Sequence, residues 1–219
     1  MTRFGPLVPR TARLGGALIA AASAQFVVAM VIVQWKFPGY TDFGNYVSDL
    51  GGPDASWAWL FNDSVRLLAV LAAVGVYLMR TAFPSKTMAR LGLTFLLIGT
   101  LGAFLVGTFP ETNLGDQQDM LHGWSTTLTF VASGLALVFL GIGTFRDTRW
   151  DGYRTFTFLS GVFTFIAIGL FTADPGGAGW IGLWERLVIA PILLWAILAG
   201  AHLVRLPAFE PTTTAPAPE

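Results

Sequence analysis

Six apolar stretches, each near the roughly 20 residues a helix needs to cross the hydrocarbon core of a bilayer, dominate this 219-residue chain. In lipid a backbone N–H or C=O finds no water, so a spanning segment must satisfy its own hydrogen bonds as a helix. The stretches run from about Leu14 to Trp35, Ser56 to Met79, Leu91 to Phe109, Leu121 to Phe145, Phe156 to Thr172 and Ile181 to Val204. Only 12% of the residues are charged, half the share of about a quarter in a soluble domain. The expected fold is all-α: a polytopic integral membrane protein built as a six-transmembrane-helix bundle, with a short polar or re-entrant segment after the first helix. Residues 1–13 then form a cytoplasmic N-terminus, 14–205 the membrane domain, and the Pro/Thr-rich 206–219 a disordered cytoplasmic tail.

The first span follows Arg3, Arg10 and Arg13 and contains Ala22-Ser23-Ala24, features shared with a cleaved signal peptide. Its apolar run continues through "FVVAMVIVQW", too long for a signal, so a retained helix is expected. Lys and Arg set the orientation. The N-terminus, the second-to-third and fourth-to-fifth connections and the C-terminal end hold ten of the 13 basic residues. Lys36, Arg66 and Arg186 fall toward the other side. The expected location is therefore the cell membrane, multi-pass, with both termini cytoplasmic. Net charge is zero, which gives no case for a nucleic-acid partner. With no Cys, disulfides, thiolate catalysis and Cys-ligated metals are excluded. Membrane lipids are the expected partners. Small residues such as Gly99 and Gly102, Gly134 and Gly141, and Gly161 and Gly169 let helix backbones approach closely, and such faces would also admit a homo-oligomer.

Polar groups concentrate toward the side opposite the termini. The stretch "NYVSDLGG" at 45–52 lies in the first connection, where Gly51-Gly52-Pro53 breaks a helix and Asp54 or Ser56 can cap the second span. Within "FNDSVRLL", Asp63 and Arg66 are i,i+3 and Asn62 and Arg66 are i,i+4, so they can meet on one helix face. His122 opens the fourth span, where Asp119 can cap the helix while holding the imidazole. Glu185 and Arg186 open the sixth. The candidate ligand-binding residues are Asn45, Ser48, Asp49, Asn62, Asp63, Arg66, His122, Glu185 and Arg186. Ionisable groups in spans are costly and are normally paired or functional.

These residue types admit several chemistries. Ser48, His122 and Asp49 are the side chains of a serine hydrolase, yet adjacent Ser48 and Asp49 diverge and no G-x-S-x-G elbow exists. A zinc or hard-cation site could draw on one His with Asp49, Asp63 or Glu185, but His202 belongs at the other membrane face, so no metal and no cofactor are expected. His122 with Asp49 or Glu185 could instead serve as a general acid/base on a lipid-like substrate, which makes these three the catalytic candidates. A polar pocket at the extracytoplasmic leaflet that binds lipid or amphiphile fits the one-sided distribution best. The remaining alternative is a purely structural polar network that pins the loop into the bundle.

The segments "NYVSDLGG", "LFNDS", "GTFPE", "HG" and "GLWER" together resemble the domain-of-unknown-function 998 family of prokaryotic membrane proteins, over essentially Leu14–Arg205. That family carries an N-x-I-S-D-L-G signature, which Asn45, Ser48, Asp49, Leu50 and Gly51 match, with Val47 in place of Ile. Asn62, Phe109-Pro110, His122-Gly123 and Glu185-Arg186 match its later marks. Arg66 stands where the family has an apolar residue. A more distant likeness is to the Frag/DRAM group of eukaryotic multispan proteins. The resemblance implies a six-span bundle and a set of positions, but no established activity.

Overall fold

The computed structural model describes residues 7–209. Arg3 and residues 210–219 of the expected tail lie outside the described residues. The chain forms six helices long and apolar enough to cross a membrane: α1 (Arg10–Lys36), α2 (Ala58–Met79), α3 (Thr87–Thr108), α4 (Gln117–Gly143), α5 (Tyr153–Ala173) and α6 (Ile181–Arg205). At 1.5 Å rise per residue the shortest, 21 residues in α5, is about 31 Å long and spans a hydrocarbon core. Two short strands, β1 (Val8–Pro9) and β2 (Ala208–Phe209), pair in parallel and join the entry of α1 to the segment after α6.

Four helix starts lie earlier than hydropathy places them. α1 begins at Arg10, α3 at Thr87 and α4 at Gln117, each four residues before the apolar run, and α5 at Tyr153, three before it. A helix persists into the polar interface wherever its first N–H groups find partners. For α4 the partner is Asp116, whose carboxylate accepts from Asp119 N at 3.0 Å. α2 departs in the other direction: it starts at Ala58, and neither Asp54 nor Ser56 caps it. Tight turns Ala55 N to Gly52 O and Ala58 N to Ala55 O satisfy the entry instead.

Each helix packs on the next in sequence, and α6 packs back on α1, so the bundle is a closed ring. Gly16 makes that closure tight: a Cβ there would stand 2.8 Å from the Gly200 carbonyl oxygen. The core divides along the ring axis. Near the termini, Ile19, Val76, Met79, Leu137, Leu140, Trp195 and Leu203 fill the interior. There Trp150 Nε1 donates to Ala82 O at 3.0 Å, and His202 stacks on Tyr153 at 4.1 Å. Toward the opposite, distal end, Phe26, Val33, Val47, Leu50, Phe61 and Val65 form a second cluster. Large apolar side chains such as Val28, Leu101, Leu159 and Ile166 are exposed, as expected where lipid is the solvent.

Candidate functional site

The connection between α1 and α2 folds as a plug at the distal end. Its local shape comes from Asn45 and Asp49. The Asn45 side chain accepts from Thr41 N at 3.0 Å and donates to Asp49 at 3.3 Å, a pairing that needs an amide with both a donor and an acceptor. Asp49 also accepts from Tyr46 N at 3.0 Å, which sets up the 3₁₀ turn Ser48–Gly51. The turn drives Leu50 inward until it is 0% exposed.

The surrounding helices then hold the plug by its backbone. Asn62 of α2 donates to Gly51 O at 2.9 Å. Glu185 of α6 accepts from Val47 N at 2.5 Å. Arg186 donates to Asn45 O at 3.1 Å and to the Tyr40 hydroxyl at 2.6 Å, and pairs with Asp42 at 3.0 Å. Ser48 donates its hydroxyl to Glu111, in the connection after α3, at 2.7 Å. At Gly182 the plug lies directly on α6: Gly182 N donates to Phe43 O at 2.8 Å, and a Cβ would meet Asp42 O at 2.8 Å.

Electrostatics in the plug follow from this packing. Burial pushes the Tyr40 phenol up to about 12, and the opposing pull of Arg186 is smaller. Tyr46 is also raised, first by burial and then by the nearby carboxylates of Glu111, Glu185, Asp174 and Asp49.

His122 enters from α4. Its Nδ1 lies 2.8 Å from Phe109 O at the end of α3. A carbonyl only accepts, so Nδ1 carries the proton, and in the neutral ring Nε2 is left as a lone-pair acceptor. Asp119 does not hold the imidazole. It gathers the preceding turn, accepting from Thr112 N at 2.5 Å and Gly115 N at 2.6 Å.

Beneath the plug an apolar cavity of about 150 Å³ runs along the ring axis. Helices α1, α2, α3, α4 and α6 line it, among them Phe26, Leu68, Ala72, Val106, Ile192 and Trp195. Val47, Ser48, His122 and Glu185 stand at its distal end. His122 is 8% exposed and Glu185 4%. Along α2 the lining runs from Phe61 to Val76, about 22 Å, and along α4 from His122 to Ser133, about 17 Å.

The nine candidate residues thus divide. Ser48, His122 and Glu185 face the cavity, whereas Asn45, Asp49, Asn62 and Arg186 build and anchor the plug. Asp63 and Arg66 pair with each other on the outside of α2, and Arg66 also donates to Gly107 O. Arg66 and Asn62 do not meet, because Asn62 turns inward to Gly51. Glu185 and Arg186, though adjacent, point to different partners. Among the described residues no three His, Asp or Glu side chains gather in a metal-holding group. Sequence reasoning missed Tyr40, Asp42 and Glu111 as plug anchors. The one available signal was the acidic bias of the distal connections, to which Asp42 and Glu111 both contribute.

No curated protein and no solved structure matches the chain. The family described as "Protein of unknown function (DUF998)" matches residues 20–202, which takes in the plug, the cavity lining except Ile19 and the greater part of each of the six helices. The chain belongs to the DUF998 family.

Proposed function

We propose that this protein binds a single-chain amphiphile in the axial cavity, with its head beneath the plug at the extracytoplasmic leaflet of the cell membrane and both termini in the cytoplasm. The observation that carries this reading is the division of the cavity. Its walls are apolar along five helices, and its ionisable groups, His122 and Glu185, are confined to one end. The length of the lining suits an extended chain. A lining of about 17–22 Å exceeds the roughly 15 Å of one leaflet's acyl region. The distribution of Lys and Arg supports the orientation.

Native mass spectrometry of the protein extracted from its own membrane in a mild detergent tests the reading, with Ala72→Phe as the blocked control. Ala72 lines the cavity, and a phenyl ring there adds bulk to its wall. A lipid-sized adduct on the wild type that Ala72→Phe lacks is the expected result. Equal adducts on both proteins would remove the cavity as the site.

A second reading has its own support. His122 is fixed through Nδ1 with Nε2 unoccupied, the arrangement of a general base, and Glu185 borders the same space. Turnover of an ester-linked single-chain amphiphile that disappears in His122→Gln would favour a membrane enzyme over a binder.

A further inference from the structure

We infer that the cavity selects amphiphiles whose head donates hydrogen bonds, a hydroxyl or an ammonium, and rejects anionic heads. This rests on the amphiphile reading above and specifies the ligand's chemistry. Three groups meet the distal end of the cavity, and with Glu185 as a carboxylate and His122 as a neutral ring each offers lone pairs. Glu185 Oε2 is taken by Val47 N, and its second oxygen has no hydrogen-bond partner among the described residues. His122 Nε2 is likewise without one, while Nδ1–H is spent on Phe109 O. Ser48 donates its only hydroxyl hydrogen to Glu111, which leaves its oxygen as an acceptor.

The cations of this region are turned away. Arg186 is engaged by Tyr40, Asp42, Asn45 O and Gly182 O, on the plug side of α6. Arg66 is engaged by Asp63 and Gly107 O, and neither arginine lines the cavity. A phosphate or carboxylate head would therefore meet Glu185, with Glu111 and Asp49 nearby, and no cation among the cavity-lining residues, Arg186 being held on the plug side. A head that brings its own hydrogens satisfies two groups that are each more than nine-tenths buried and incompletely bonded.

The test uses the full-length protein in phosphatidylcholine nanodiscs, which avoids hydroxyl-headed detergents. Four C16 probes are offered at equal low mole fraction: monopalmitoylglycerol, hexadecylamine, palmitate and palmitoyl-lysophosphatidate. Native mass spectrometry then counts the retained probe against Ala72→Phe. Retention of the two donor heads at least about tenfold above the two anions is expected. In Glu185→Gln, whose amide can donate, the palmitate deficit should shrink. Retention of either anion equal to that of the donor heads overturns the selectivity and leaves the occupied cavity standing. Retention of no probe above the Ala72→Phe background overturns occupancy itself.

Discussion

Val47 N–H and the Glu185 carboxylate are 138 residues apart in sequence and 2.5 Å apart in space. That contact ties the plug to α6 at the mouth of the cavity. It does two things at once: it satisfies a buried backbone donor and positions a carboxylate beside the cavity.

Replacing Glu185 separates these roles. In Glu185→Ala the buried Val47 N–H loses its acceptor, which should lower stability by about 1–3 kcal/mol. In Glu185→Gln a side-chain carbonyl can still accept from Val47, so most of that loss should be avoided. Thermal unfolding in a mild detergent compares the two. If both variants lose the same stability, the backbone contact is not what Glu185 contributes.

Gly182 tests the plug from the other side. An alanine Cβ would sit 2.8 Å from Asp42 O, closer than such atoms approach, so the loop must lift or α6 must shift. Hydrogen exchange at Tyr46 and Val47 should accelerate by about tenfold or more in Gly182→Ala, since their acceptors are Asp49 and Glu185. Exchange in the middle of α3 and α4 should stay unchanged. Unchanged exchange at Val47 would mean that the loop is not seated through this glycine.

How much of this was legible in the sequence depended on range. The six spans could be read because lipid demands an apolar run for each helix, and the ring uses all six. The pairing of Asp63 with Arg66 was legible because i,i+3 neighbours on a helix meet whatever the tertiary fold. The partnership of Arg186 with Tyr40 was not, because 146 residues separate them and only ring closure makes them neighbours. Ser48 and Glu111 meet across 63 residues for the same cause. His122 misled: a nearby Asp119 suggested a side-chain partner, but the carbonyl of Phe109 holds the ring. Backbone acceptors leave no mark in a sequence.

Tyr40 gives the plug a dependence on alkaline pH. Its phenol donates to Tyr46 O at 2.8 Å and accepts from Arg186, and burial raises it from 10.0 to about 12. A group raised in the folded state stabilises it fully below the unfolded value. That contribution declines above about 10 and is gone once pH has passed about 12. Stability should therefore fall across that window, and Tyr40→Phe should flatten the decline. Unfolding midpoints measured between neutral pH and pH 12 provide the check, with tyrosinate absorbance assigning the late proton. An equally steep decline in Tyr40→Phe would place the effect elsewhere, Tyr46 being the next tyrosine with a raised value.

His122→Asn distinguishes a structural imidazole from a working one. The asparagine amide nitrogen lies near the position of Nδ1 and can still donate to Phe109 O, so the tie between α3 and α4 is kept. Nothing in asparagine reaches the position of Nε2. If His122 serves only to join the two helices, His122→Asn should behave as the wild type in both stability and amphiphile retention. If Nε2 meets a bound head, stability should stay within about 1 kcal/mol, the worth of one ordinary hydrogen bond, while retention of monopalmitoylglycerol falls severalfold. His122→Ala should lose both, since it removes the donor to Phe109 O as well as Nε2. The head contact therefore predicts a specific pattern, stability held and ligand lost in Asn, both lost in Ala. Retention unchanged in His122→Asn would return His122 to the bundle as a helix tie and leave Glu185 and Ser48 as the polar groups at the mouth.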